Sequence, residues 1–212
     1  MRAIFVTIIA AVAIAACKSP TAPSATPATL SLQSSAWQTI SEPPPFPLAN
    51  DGGALTFNFP ASGSINYLFT ASPLKIVRGT LSVSVRVTTS GPVVFNSLDQ
   101  QSPSCSIPSS VRPFIWANNN GNGDYDRWWS NPRAYTLAAG TATITVPLTA
   151  DAWSSVNGRT GNADAPTTFA FDTALLNVSR LGVTFGGGCS FGHGINVSGG
   201  AASFAITEYR IQ

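Results

Sequence analysis

Apolar and polar residues alternate with a period of two through most of the chain beyond residue 53. Leu55, Phe57 and Phe59 occupy every second position, as do Ile65, Tyr67 and Phe69. Leu81, Val83, Val85 and Val87 are interleaved with Ser82, Ser84, Arg86 and Thr88. In an extended chain successive side chains point to opposite faces, so this pattern predicts half-buried β-strands. Further strands are predicted at Val93–Asn96, Arg112–Ala117, Thr141–Leu148, Leu181–Phe185 and Ser203–Ile211, each bounded by Gly, Pro, Asn or Ser. Helical signals are scarce: Phe171–Ser179 predicts one or two turns, and Asp151–Val156 a single capped turn.

Many short antiparallel strands in succession cannot end as one open sheet, which would leave an apolar face and unpaired edges in water. The predicted fold class is therefore all-β: an antiparallel two-sheet sandwich, jelly-roll-like, with one or two short helical turns, occupying residues 31–212 as one domain. The segment from Trp153-Ser154-Ser155-Val156-Asn157-Gly158 through the short helix to Leu181–Phe185 and the closing strand Phe204–Ile211 resembles the C-terminal half of galactose-binding-like carbohydrate-recognition modules. That resemblance of arrangement implies a jelly-roll module with a saccharide ligand, and it brings no binding motif with it.

The N-terminus follows a different pattern. Met1-Arg2 precedes an uncharged apolar run, Ile4–Ala16, shorter than the roughly 20 residues that span a bilayer, so it reads as a signal peptide. The run ends Ile14-Ala15-Ala16-Cys17 and so resembles the lipobox of bacterial lipoproteins. The resemblance implies cleavage after Ala16 and a lipidated Cys17 as the first mature residue, anchored to a leaflet without spanning it. It implies the bacterial cell envelope as location and a membrane held through the lipid anchor as partner. Lys18 stands where Asp would retain such a protein in the inner membrane, which favours the outer membrane. The alternative is an ordinary secreted protein in which Cys17 is incidental. Residues 17–30, rich in Pro, Ser, Thr and Ala, form the tether. A second proline cluster, Glu42–Pro47, is expected as an extended arm at the domain edge.

Composition narrows the partners. Only 9% of the 212 residues are charged, against roughly 25% in ordinary globular chains, so Ser, Thr, Asn and Gly must keep the surface soluble. Lys and Arg number 11 against 9 acidic residues, and loss of Arg2 with the signal leaves a net charge of +1. The arginines are scattered singly along the sequence, which argues against nucleic acid as a partner. With Cys17 lipidated, Cys105 and Cys189 remain, and an oxidising compartment permits a disulfide between them, the expected pairing; the alternative is two separate buried thiols.

The densest polar and aromatic cluster runs Asn118-Asn119-Asn120-Gly121-Asn122-Gly123-Asp124-Tyr125-Asp126-Arg127-Trp128-Trp129. Aromatic rings stack on the apolar faces of sugars while Asp and Arg hydrogen-bond hydroxyls, which makes Asp124, Tyr125, Asp126, Arg127, Trp128 and Trp129 the candidate ligand-binding residues. The plainer reading is a strand with one Trp in the core and one outside. No cofactor is required. Calcium is the one ion the loop leaves open, although the EF-hand pattern fails: position one lacks Asp, and Trp129 stands where a bidentate Glu belongs. Gly186–Gly194 supplies flexible backbone that either frames a ligand or turns one strand into the next.

His193 is the only histidine, no Gly-x-Ser-x-Gly elbow is present, and Asp124 and Asp126 sit two apart where glycosidase carboxylates come from separate strands. No catalytic or metal residue is assigned, and the expectation is a non-enzymatic, lipid-anchored module that binds carbohydrate or a similar polar ligand. The alternatives are a structural lipoprotein that docks another envelope protein and, less favoured, a glycan-acting enzyme using Asp124 or Asp126.

Overall fold

The computed structural model describes residues 28–44, 46–76, 78–97, 108–117, 123–131, 134–187 and 190–212. In chain order the strands are Ala28–Thr29 (β1), Trp37–Glu42 (β2), Ala49–Asp51 (β3), Ala54–Asn58 (β4), Ser64–Leu74 (β5), Thr80–Ser90 (β6), Val94–Ser97 (β7), Ser110–Ala117 (β8), Arg127–Ser130 (β9), Tyr135–Thr136 (β10), Gly140–Pro147 (β11), Trp153–Ser155 (β12), Val178–Gly187 (β13), Ser190–Phe191 (β14), Ile195–Ser198 (β15) and Ala201–Ile211 (β16). One α-helix, Ala165–Leu176 (α1), separates β12 from β13.

Two antiparallel sheets result. The smaller has the order β11-β6-β16-β4-β3, with β1 against β16; the larger runs β12-β9-β8-β13-β5-β15-β7, with β2 on β5, β10 on β8 and β14 on β13. The chain is thus the all-β sandwich that its alternation predicts. Leu81, Val83, Val85 and Val87 of β6 are buried against Leu68, Ile115, Leu181 and Val183 from the other sheet, while Ser82 and Ser84 face out and pair with Thr145 and Thr143 at 3.2 and 2.9 Å. Phe57 anchors the middle of the core, with Phe59, Phe204 and Phe185 at 5.1, 5.4 and 5.6 Å between ring centres. Phe46, in the proline-rich arm, packs edge-on against the same ring.

Three local differences from the sequence pattern matter. Ile65, Tyr67 and Phe69 do not share a face. The β2–β5 register steps from Ile40 opposite Tyr67 to Ser41 opposite Ile65, so Asn66 is an extra residue in a bulge. Ile65 and Leu68 therefore point inward, and Tyr67 and Phe69 join a separate outer cluster.

The helix is longer and starts earlier than predicted. Asp164 caps it by accepting from the Thr167 N–H at 2.8 Å, and Val178–Ser179 is drawn instead into β13, where Val178 pairs with Ala117. Asp151–Val156 divides into a 3-10 turn, Ala150–Ala152, and strand β12, because Ser154 and Ser155 pair with Trp129 and Trp128.

Replacement of Phe204 by Ala removes a ring surrounded by three others and should cost about 3–5 kcal/mol in urea unfolding; a loss below about 1 kcal/mol would mean that the two sheets are held by other contacts. Hydrogen bonding from Thr167, aided by Arg159, holds the Asp164 carboxyl below its usual value. The capped state thus binds a proton less readily than the unfolded chain, and its contribution is complete above the ordinary carboxylate range and lost as pH falls through the lowered value. Asp164→Ala should lower the melting temperature at neutral pH, with the difference closing in acid; a gap that persists at low pH would contradict the cap.

Candidate functional site

The outer faces of the two sheets differ in chemistry. The smaller sheet shows water a row of hydroxyls, whereas the larger carries a second apolar cluster of Tyr67, Phe69, Phe114 and Trp129, with Trp116, Val156 and Phe191 packed against it. Strand register sets these side chains in rows. Arg112, Thr184 and Tyr67 lie side by side across β8, β13 and β5; Trp129, Phe114, Gly182 and Phe69 form the next row; Arg127, Trp116 and Arg180 form the one after. Gly182 has no side chain because a Cβ there would lie 2.1 Å from the Leu68 carbonyl oxygen. The gap lets the Phe114 and Phe69 rings share the row.

Among the described residues no second sheet covers this face, and arginines do so instead. The Arg112 guanidinium carbon sits 3.0 Å from the centre of the Phe191 ring, Arg180 lies 4.7 Å from Trp116 and 5.2 Å from Phe69, and Arg127 lies 5.3 Å from Trp116. Stacking of this kind engages the flat face of a guanidinium and leaves its N–H edge available. Among the described residues the ion pairs are Arg159–Asp164 and Arg210–Glu208, so no carboxylate of those residues lies within ion-pair distance of any of these three arginines. The region is cationic.

Arg112 is the most buried of the three, at 4% exposed. Its Nη1 donates to the Ser130 carbonyl at 2.9 Å, while its Nε has no hydrogen-bond partner. Burial lowers its pKa to about 9, still well above neutral pH, so the group is charged. A cation–π contact contributes about 0.5–2 kcal/mol, and an unmade buried hydrogen bond costs about 1–3 kcal/mol. Desolvating a cation costs several kcal/mol more, and a neutral carbonyl supplies no counter-charge. Packing alone does not account for a charge in this position.

Beside Arg112 the surface opens into a cavity of about 420 Å³, within the span of roughly 300–1,000 Å³ usual for small-ligand sites. Trp129, Phe191 and Val156 form its apolar wall, and Asn131, Ser154, Asn157 and His193 its polar one. The glycine-rich segment after β13 brings Phe191 and His193 here. Gly192 adopts a φ of +80°, and a Cβ on it would lie 2.1 Å from the Tyr67 hydroxyl oxygen, so this turn sits directly on Tyr67. Asn66, the bulge residue, ties it down by donating to the Gly192 carbonyl at 3.1 Å. Burial raises the Tyr67 pKa, and Arg127 offsets part of that rise.

The predicted cluster divides between several environments. Trp129 and Arg127 face outward and belong to the site. Trp128 points the other way: it is fully buried, packs edge-on to Phe171 at 5.1 Å and donates from Nε1 to the Tyr125 carbonyl at 2.8 Å. Tyr125 stacks on it, half-buried. Asp126, 3% exposed, closes the turn by accepting the Gly123 N–H at 3.0 Å, and Asp124 is exposed within that turn. These two carboxylates, two apart in the chain, therefore lie in a turn ahead of β9 with one buried and one exposed. Residues 118–122, needed for the calcium reading, lie outside the described residues, as do Cys17, Cys105 and Cys189. Among the described residues no group of three or more His, Cys, Asp or Glu could hold a metal ion.

Sequence reasoning missed Arg112, Arg180, Phe114, Trp116 and Phe191. The available signal was Val111–Ala117, where large residues fill both parities, as in a strand with two occupied faces.

Gly192→Ala should unsettle this face specifically. Strain at positive φ costs about 1–3 kcal/mol, to which the contact with Tyr67 adds, so the urea midpoint should fall well beyond the ±0.5 kcal/mol typical of surface changes; an unchanged midpoint would place the turn away from Tyr67. No protein-family model matches this chain and no curated protein matches it, so a functional reading rests on the geometry of this face.

Proposed function

We propose that this protein is a non-catalytic, lipid-anchored binding module of the bacterial envelope, which holds a carbohydrate on the outer face of its larger sheet. The observation that carries the reading is the cavity between Trp129 and Phe191, where an apolar wall faces amide and hydroxyl side chains. Sugars present the complementary surfaces: C–H faces that pack on aromatic rings, and hydroxyls that exchange hydrogen bonds with Asn and Ser. The volume suits one or two sugar units.

The location rests on the N-terminal sequence. Lipidation at Cys17 would hold the domain at a leaflet, outer membrane favoured, with a spacer shorter than the expected 17–30. Ala28 and Thr29 already pair with β16 and the Leu30 N–H donates to the Tyr209 carbonyl, which leaves residues 17–27 to let the binding face reach ligand. Among the described residues no helix is long and apolar enough to cross a membrane.

Two measurements test the proposal. Titration of the full-length protein, in detergent micelles, against a glycan panel with tryptophan fluorescence as readout should reveal saccharide binding that Trp129→Ala weakens at least tenfold while the fold is retained; equal binding by that variant would remove the ligand from this cavity. Cys17→Ser should abolish incorporation of labelled fatty acid and shift the protein from the membrane to the soluble fraction, and continued membrane retention would overturn the anchor.

A further inference from the structure

We infer that the ligand is an acidic saccharide, whose carboxylate pairs with Arg112 while its ring lies between Trp129 and Phe191. The inference rests on the saccharide reading above and names the class of sugar. Arg112 lines the cavity, is 4% exposed and bonds the Ser130 carbonyl through Nη1 alone. Its Nε has no hydrogen-bond partner, and no carboxylate among the described residues lies within ion-pair distance. The Phe191 ring lies over the guanidinium, and the buried edge that carries Nε is left without a hydrogen-bond partner.

That edge matches the two oxygens of a carboxylate, which a guanidinium receives as a pair of parallel hydrogen bonds. A neutral sugar would leave the cation without its counter-charge. Arg127 and Arg180, further along the same face and stacked on Trp116, extend the positive region and favour an acidic chain over an acidic monosaccharide. Asn131, Ser154 and Asn157 remain for the hydroxyls.

The test compares each acidic oligosaccharide of a uronate- and sialate-bearing panel with its own methyl ester, which keeps the sugar and removes the charge. Full-length protein in detergent should bind at least one acid tenfold or more tightly than its ester, with the preference shrinking as salt rises. Arg112→Met should erase the preference without lowering the melting temperature, because an apolar side chain relieves a buried unpaired charge. Arg112→Lys, which keeps the charge and loses the fork, should retain only part of it. Equal binding of acid and ester, or a preference that survives in Arg112→Met, overturns the inference and leaves the saccharide reading standing. Absence of binding to every acid, ester and neutral glycan overturns both.

Discussion

A β-sheet has two faces, and in a two-layer sandwich only one of them can be turned to the partner sheet. Most of this structure follows from how each sheet treats its other face. The smaller sheet meets water with Ser and Thr, whose cross-strand pairs, such as Ser84 with Thr143, satisfy polar groups without charge. The larger sheet places Tyr67, Phe69, Phe114 and Trp129 on its outer face, where among the described residues side chains and the Gly192 turn bury them in place of a further sheet. Arginine side chains lie over the edges of this cluster, Arg180 against Phe69 and Trp116, Arg127 against Trp116 and Arg112 against Phe191, because a long side chain with a planar, weakly hydrated head can cover apolar surface and still reach solvent.

This solution has an electrostatic consequence. In a chain with few charges, three of the cations gather on one face without neighbouring carboxylates among the described residues. Arg127 and Arg180 retain contact with solvent, so their charge costs little there. Arg112 is nearly enclosed, with a carbonyl and a ring for company. The cavity stands next to the group whose electrostatic needs are least satisfied, and a ligand charge would meet them.

Much of the fold was legible residue by residue. At Leu81–Thr88 every apolar residue is buried on the inner side, since β6 itself carries no extra residue: its pairing with β11 is regular, and the irregularity on the other flank falls at Thr207 of β16. The same logic misled at Ile65–Phe69, because parity survives only while each residue has one partner, and the bulge at Asn66 reverses it. The Trp128-Trp129 pair was legible as one residue in and one out. Which tryptophan turns to the outer face depended on β9 lying between β8 and β12.

The sequence by itself determined the class of structure: alternation specifies strands, their number demands two sheets, and the low charge specifies a hydroxyl-rich surface. It also identified Trp129 and Arg127 as site candidates, because aromatic and polar residues were adjacent in the chain. Only the tertiary structure decided that Arg112, Arg127 and Arg180, isolated in sequence, share one face, and that Phe191 lies over Arg112. Strand pairing made those juxtapositions between residues far apart in the chain, as between Arg112 and the Ser130 carbonyl it bonds, 18 residues away. No local pattern encodes them, since the side chains meet only after hydrogen-bonded register has set distant strands in rows.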